Sequence, residues 1–141
     1  MKNIPSFYTI HSDGGSRGNP GPAAYGFVVY DDSKRIVHEE GKRIGITTNN
    51  VAEYQGVIAA LRWVYQTEHK PKTISFFLDS ELVASQLNGR YKIKNEHLRS
   101  LFFTVKELES KIEVGIEFRS IPREQNIEAD RMVNLALNST E

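Results

Sequence analysis

Thr73-Ile74-Ser75-Phe76-Phe77-Leu78-Asp79 is the stretch that decides the architecture. A nearly continuous apolar run set between Pro71 and an aspartate reads as a strand buried on both faces, and such strands usually lie parallel to a neighbour inside a sheet. Working back from it, Val51 to Gln66 carries Val57, Ala60, Leu61, Val64 and Tyr65 at helical spacing, so one face of a helix packs on the sheet. Before that helix, Phe7 to Asp13 and Ala24 to Tyr30 read as two strands separated by the turn-rich Gly14-Gly15-Ser16-Arg17-Gly18-Asn19-Pro20-Gly21-Pro22. Asp31-Asp32-Ser33-Lys34 then turns the chain into a third strand, from Arg35 to Ile46. These three form an antiparallel meander.

Forward of the central strand, helical patterns run from Ser80 to Leu87 and from Asn95 to Ser110. Val114, Ile116 and Phe118 then alternate with Gly115, Glu117 and Arg119, as an edge strand would. After Pro122, Gln125 to Leu137 is a final helix, and Asn138 to Glu141 a polar tail. The aromatic residues Phe76, Phe77, Phe102, Phe103 and Trp63 fall at periodic apolar positions and are assigned to the core. The expectation is an α/β protein with one domain over residues 1–141.

Two hairpins bring the first and third strands out at the same edge of the sheet. A right-handed crossover then sends the Thr73 to Leu78 strand out beside the first, so Asp13 and Asp79 emerge together at the carboxyl edge, where open α/β sheets bind ligands. Glu53, near the start of the helix after the third strand, joins them there. Asp130 follows if the last strand runs the same way.

Each carboxylate also has a purely local reading. Asp13 precedes a turn, Asp79-Ser80 is a helix N-cap, Asn50-Val51-Ala52-Glu53 fits a capping box, and Asp130 flanks a helix. Against these, Glu53 shares a helix stripe with Val57, Ala60 and Val64, which puts a charge on the core-facing side. Four clustered carboxylates require protons or hard divalent cations to relieve their repulsion, which points to metal-dependent phosphoryl transfer.

Eighteen basic residues balance eighteen acidic ones. Setting the four clustered carboxylates aside leaves fourteen acidic groups against those eighteen basic ones, so neutrality argues only weakly against a phosphate-backbone partner. The absence of cysteine excludes disulfides and thiolate metal sites, and His11, His38, His69 and His97 have no zinc-ligand spacing. The polar start, Met1 to Pro5, and the lack of a long apolar run lead to the expectation of a cytoplasmic protein with no membrane partner.

Four ordered motifs then make the chain similar to a known family. Asp13 to Pro22, Thr48-Asn49-Asn50-Val51-Ala52-Glu53, Asp79-Ser80 and Asn126-Ile127-Glu128-Ala129-Asp130 together resemble the type 1 ribonuclease H family over residues 6 to 137. The resemblance implies a ribonuclease H-like fold: a five-stranded mixed sheet, the antiparallel meander plus two parallel strands, flanked by helices. It implies hydrolysis of the RNA strand of an RNA/DNA hybrid, leaving 5′-phosphate and 3′-hydroxyl ends. By motif position Asp13, Glu53, Asp79 and Asp130 match the family's metal ligands for two Mg²⁺ ions about 4 Å apart, with Mn²⁺ as an alternative. Gly14, Gly15, Ser16, Asn19, Thr48, Asn49 and Asn50 match its nucleic-acid contacts, and Asn49 and Asn50 its reading of the 2′-hydroxyl side of the duplex. Double-stranded RNA is a second candidate partner, and a monomer suffices.

Two departures stand out. The loop Ile121 to Asn126 lacks the histidine that many members carry before the last aspartate, which predicts a turnover that is reduced or assisted differently, with Arg123 and Glu124 as the substitute candidates. The basic helical protrusion of some members is also missing. Gly89 to Asn95, with Arg90, Lys92 and Lys94 around Tyr91 and Ile93, is left as a short phosphate-binding patch or a solvated linker. A non-catalytic module binding hybrid or double-stranded RNA is the rival reading; all four carboxylate positions being filled counts against it.

Overall fold

The structure, a computed structural model, describes residues 4–139. The polar start at Met1 to Asn3 and the end of the tail at Thr140 and Glu141 lie outside the described residues. The elements in chain order are β1 (Phe7–Ser16), β2 (Gly21–Tyr30), β3 (Ile36–Thr47), α1 (Asn49–Gln66), β4 (Thr73–Leu78), α2 (Glu81–Leu87), α3 (Glu96–Ile112), β5 (Gly115–Ser120) and α4 (Ile127–Asn138). A short 3₁₀ turn over Arg123–Gln125 leads into α4.

The five strands form one mixed sheet in the order β3-β2-β1-β4-β5. β1 is antiparallel to β2 and parallel to β4, and β5 runs parallel to β4 at the edge. The expected meander, the central parallel strand and the shared exit edge are all present, and β5 has the direction that brings the α4 start to that edge. Among the described residues no helix is long and apolar enough to cross a membrane.

Alternation along the strands splits the side chains between two layers. Tyr8, Ile10, Tyr25, Phe27, Ile74 and Phe76 join one core with Val57, Leu61 and Val64 of α1 and Val105 and Leu108 of α3. Burying Phe27 and Phe76 completely stabilises by about 1.5–3 kcal/mol each. The opposite face of β2 lies under α4, where a Cβ on Gly26 would stand 2.6 Å from the Met132 Cβ and 2.7 Å from the Ala129 carbonyl. Only glycine lets α4 settle that close to the sheet.

The structure corrects four expectations, the first being Tyr65, which was placed on the packed face of α1 and is 47% exposed. β1 continues through Gly14, Gly15 and Ser16 rather than stopping at Asp13, because Asp13 pairs with Gly26 and Ser16 with Ala23. Cross-strand pairing overrides the weak strand propensity of glycine there, and only residues 17–20 make the turn. The N-cap of α1 is Thr48, whose hydroxyl accepts the Val51 N–H at 3.3 Å, so Asn50 is inside the helix and Glu53 is not a capping-box partner. Finally, Phe103 is 61% exposed. Adjacent helix positions point about 100° apart, so Phe102 turns inward, half-buried, and Phe103 does not.

Candidate active site

Asp13, Glu53 and Asp79 each offer a carboxylate oxygen within 4.8 Å of the others. β1 delivers the first, α1 the second and the end of β4 the third. Gly14 is what permits this meeting: a side chain there would run into the backbone of Ala52 and Glu53, so its absence lets α1 lie on β1 with Glu53 beside Asp13. Asp79 is held in position as β4 ends, because Ser80 immediately caps α2 by accepting the Val83 N–H at 3.1 Å.

Asp13 and Glu53 are both buried, and one oxygen of Glu53 has no hydrogen-bond partner. Burial, then repulsion from Asp79, pushes the Asp13 carboxyl up to about 7, against hydrogen bonds from Glu53 and the Gly14 N–H. The Gly14 N–H donates to Asp13 Oδ1 at 2.9 Å. Glu53 is raised well above the ordinary carboxylate range by burial first and by Asp13 and Asp79 next. The group must hold a proton or a cation near neutral pH, and its oxygen-only donors, with one left unpartnered, suit a hard divalent cation.

Asp130 lines the same cleft, of about 520 Å³, but stands outside the tight trio. It sits in the first turn of α4, where Asn134 one turn on donates to its carboxylate at 3.3 Å and to its carbonyl at 3.1 Å. Three of the four expected carboxylates are therefore packed together, and the fourth forms a wall.

The expected contact residues surround that cleft. Gly14, Gly15, Ser16, Asn49 and Asn50 line it. The Asn49 side-chain oxygen accepts both the Ser16 N–H at 2.9 Å and the Ser16 hydroxyl at 3.1 Å, while the Asn49 backbone N–H donates to Asn19 Oδ1 at 3.0 Å. Asn19 and Thr48 are outside the cleft lining and serve here as a brace and a helix cap. Gly14 faces α1, whereas a Cβ on Gly15 would meet only the Asn49 oxygen, at 3.9 Å, so Gly15 alone of the pair leaves room for a ligand to approach. Arg123 lines the cleft and Glu124 is exposed beyond its lining. Lys92 and Lys94 border a separate groove, with Tyr91 and Phe103.

The family described as "Reverse transcriptase-like" matches residues 11–136. Ribonuclease HI of Halobacterium salinarum is 39% identical over 126 residues, 89% of this chain and 62% of that protein. LC11-RNase H1, solved in complex with an RNA/DNA hybrid, superimposes with a TM-score of 0.88 at 37% identity, covering 93% of this chain and 96% of its own. The chain belongs to the type 1 ribonuclease H family. The bifunctional protein Rv2228c of Mycobacterium tuberculosis is 40% identical over 131 residues, 92% of this chain. The chain spans about a third of that relative, 35% of its length.

In this member of the ribonuclease H family the cleft has further walls that were not among the expected site residues: Arg17, which the first motif contains, and Val133, Asn134 and Leu137, which lie outside the motifs. Arg17 donates to Asn138 Oδ1 at 2.6 Å, tying the β1–β2 turn to the end of α4. Asn134 had a usable signal, since it lies four residues after Asp130 and so on the same helix face. Arg17 and Asn138 are 121 apart in sequence, and nothing local links them.

Proposed function

We propose that this chain is a metal-dependent endoribonuclease that hydrolyses the RNA strand of an RNA/DNA hybrid and leaves 5′-phosphate and 3′-hydroxyl ends. The observation that carries the reading is the buried trio of Asp13, Glu53 and Asp79 within 4.8 Å, with an unpartnered Glu53 oxygen, in a cleft also lined by Asp130. A non-catalytic binding module has no use for such an arrangement.

Asp13, Glu53, Asp79 and Asp130 would hold two divalent ions, Mg²⁺ or Mn²⁺, which when bound activate a water and offset charge on the phosphate and the departing 3′ oxygen. The chain itself does the rest. Asp13 and Glu53, too close and too buried to be ionised together without help, hold a proton near neutral pH until a bound cation displaces it and neutralises them. Asn49 directs its side-chain oxygen inward to Ser16, which leaves its amide N–H groups for acceptors on the hybrid. Gly15 admits the backbone, and Arg123 supplies a fixed positive charge on the rim, though it cannot shuttle protons near neutral pH.

The decisive experiment incubates a labelled hybrid with the protein and Mg²⁺ or Mn²⁺, beside single-stranded RNA, double-stranded RNA and double-stranded DNA. Cleavage confined to the RNA of the hybrid, with ends that ligate as 5′-phosphate and 3′-hydroxyl, is expected. Tight binding without any cleavage would replace the nuclease by the binding module. A cytoplasmic, monomeric enzyme completes the proposal, and size-exclusion chromatography tests its second half.

A further inference from the structure

Asn126 immediately precedes α4 and is 1% exposed, yet its side chain makes no capping bond to the helix it precedes. An asparagine in that position usually accepts from the first turn. Here the amide turns away to β1: Nδ2 donates to the Ser12 carbonyl at 2.8 Å, and Oδ1 lies 3.3 Å from His11 Nδ1. Because Nδ2 is the donor, Oδ1 must accept, so His11 Nδ1 carries the proton whether the ring is neutral or charged. Tyr30 packs edge-on to the His11 ring at 5.7 Å, and Phe77 packs tilted against it at 5.3 Å.

The same residue reaches the catalytic wall through its backbone. Its carbonyl accepts the Asp130 N–H at 3.1 Å. One buried residue therefore joins the strand positions just before Asp13 to the helical turn that carries Asp130.

We propose that His11 and Asn126 are positioning residues, clamping the first turn of α4 to β1 and so fixing where the Asp130 carboxylate stands relative to Asp13. This rests on the reading of the cleft as a divalent-cation site. A partly buried polar pair that served stability alone would lower the melting temperature when broken and leave cation affinity untouched.

The test uses His11→Phe, which keeps a ring between Tyr30 and Phe77 but cannot donate, and His11→Asn, which keeps a donor near Nδ1 without the ring. Asn126→Ala removes both bonds. Mg²⁺ is titrated calorimetrically into each nucleic-acid-free protein, alongside metal-free melting. His11→Phe should bind Mg²⁺ about three- to tenfold more weakly, the span expected for one lost hydrogen bond. Its melting temperature should fall by several degrees, because the buried Asn126 oxygen loses its donor, so the titration is run well below that melt; His11→Asn should recover most of the affinity. In the wild type at pH 8, ring ¹⁵N shifts should place the proton on Nδ1.

A His11→Phe isotherm identical to wild type, or a ring proton on Nε2, overturns the clamp even if Asn126→Ala fails to fold. Wild-type protein that binds Mg²⁺ but leaves hybrid intact, with the His11→Phe loss still present, would support the clamp and sink only the nuclease reading.

Discussion

The side-chain oxygen of Asn49 accepts the Ser16 N–H at 2.9 Å, locking the start of α1 to the end of β1 and fixing which way the Asn49 amide faces. With the oxygen occupied, the N–H groups face outward as donors. Asn49→Ala is expected to raise KM for hybrid about tenfold with a smaller change in kcat, the size of one or two lost hydrogen bonds. Asn49→Asp should be worse, because a second acceptor replaces the donor and adds charge beside Asp13. Steady-state kinetics on a short hybrid decide it, and an unchanged KM would remove Asn49 from the substrate surface.

Asp79 is the member of the trio that remains half-buried, so replacing it disturbs the core least. Asp79→Asn should cut the hybrid at least about 10³-fold more slowly, since a neutral amide neither attracts a divalent ion nor offsets developing charge. In EDTA its affinity for hybrid should equal or exceed that of wild type, because one negative group near the phosphates is gone. Gel-based cleavage and fluorescence anisotropy separate the two effects.

Stability should depend on pH through the same cluster. The folded-state pKa of Asp13 is raised to about 7 from its ordinary 3.8, chiefly by burial and then by Asp79. Between those values the metal-free folded protein holds a proton that the unfolded chain has released, so stability falls as pH rises from about 4 to about 7. Asp13→Asn should therefore melt higher than wild type at pH 8 without metal, by on the order of 1–3 kcal/mol, or roughly 3–10 °C. The gap should close near pH 4, and Mg²⁺ should narrow it at pH 8 by stabilising the wild type. Melting curves at both pH values, with and without Mg²⁺, check every arm.

Much of this site was legible in the sequence because the features that build it are local. The run from Thr73 to Leu78 marks a buried parallel strand, and the topology rules then carry Asp13, Asp79 and the start of α1 to one edge. What stayed hidden depends on partners distant in sequence. No propensity shows that Gly14 to Ser16 remain in β1, since the register with β2 decides it. Thr48 and Asn50 both have the chemistry of an N-cap, and only the backbone selects Thr48. The Asn126 contacts with His11 and Ser12 cross more than a hundred residues and leave no spacing to read. Asp130 was expected in the cluster itself, but the first turn of α4 holds it on the cleft wall outside the trio, a placement set by how α4 packs on the sheet and not by any local spacing.

Gly14 and Gly15 are adjacent and look interchangeable in sequence, yet they should respond in opposite ways to alanine. At Gly14 the added Cβ meets backbone of Ala52 and Glu53, and backbone on both elements leaves no side chain to swing aside. Gly14→Ala is expected to cost about 2–3 kcal/mol, lowering the melting temperature by about 5–10 °C, and to move Glu53 away from Asp13. Cleavage should therefore fail even at a temperature where the variant is fully folded. At Gly15 the same methyl meets only the Asn49 oxygen, at 3.9 Å, an ordinary contact. Gly15→Ala should melt within about 1 kcal/mol of wild type and weaken hybrid binding by crowding the cleft mouth. Circular dichroism melts and low-temperature kinetics on the pair would show whether α1 needs that bare backbone to deliver its carboxylate; a Gly14→Ala protein that cleaves normally while folded would mean it does not.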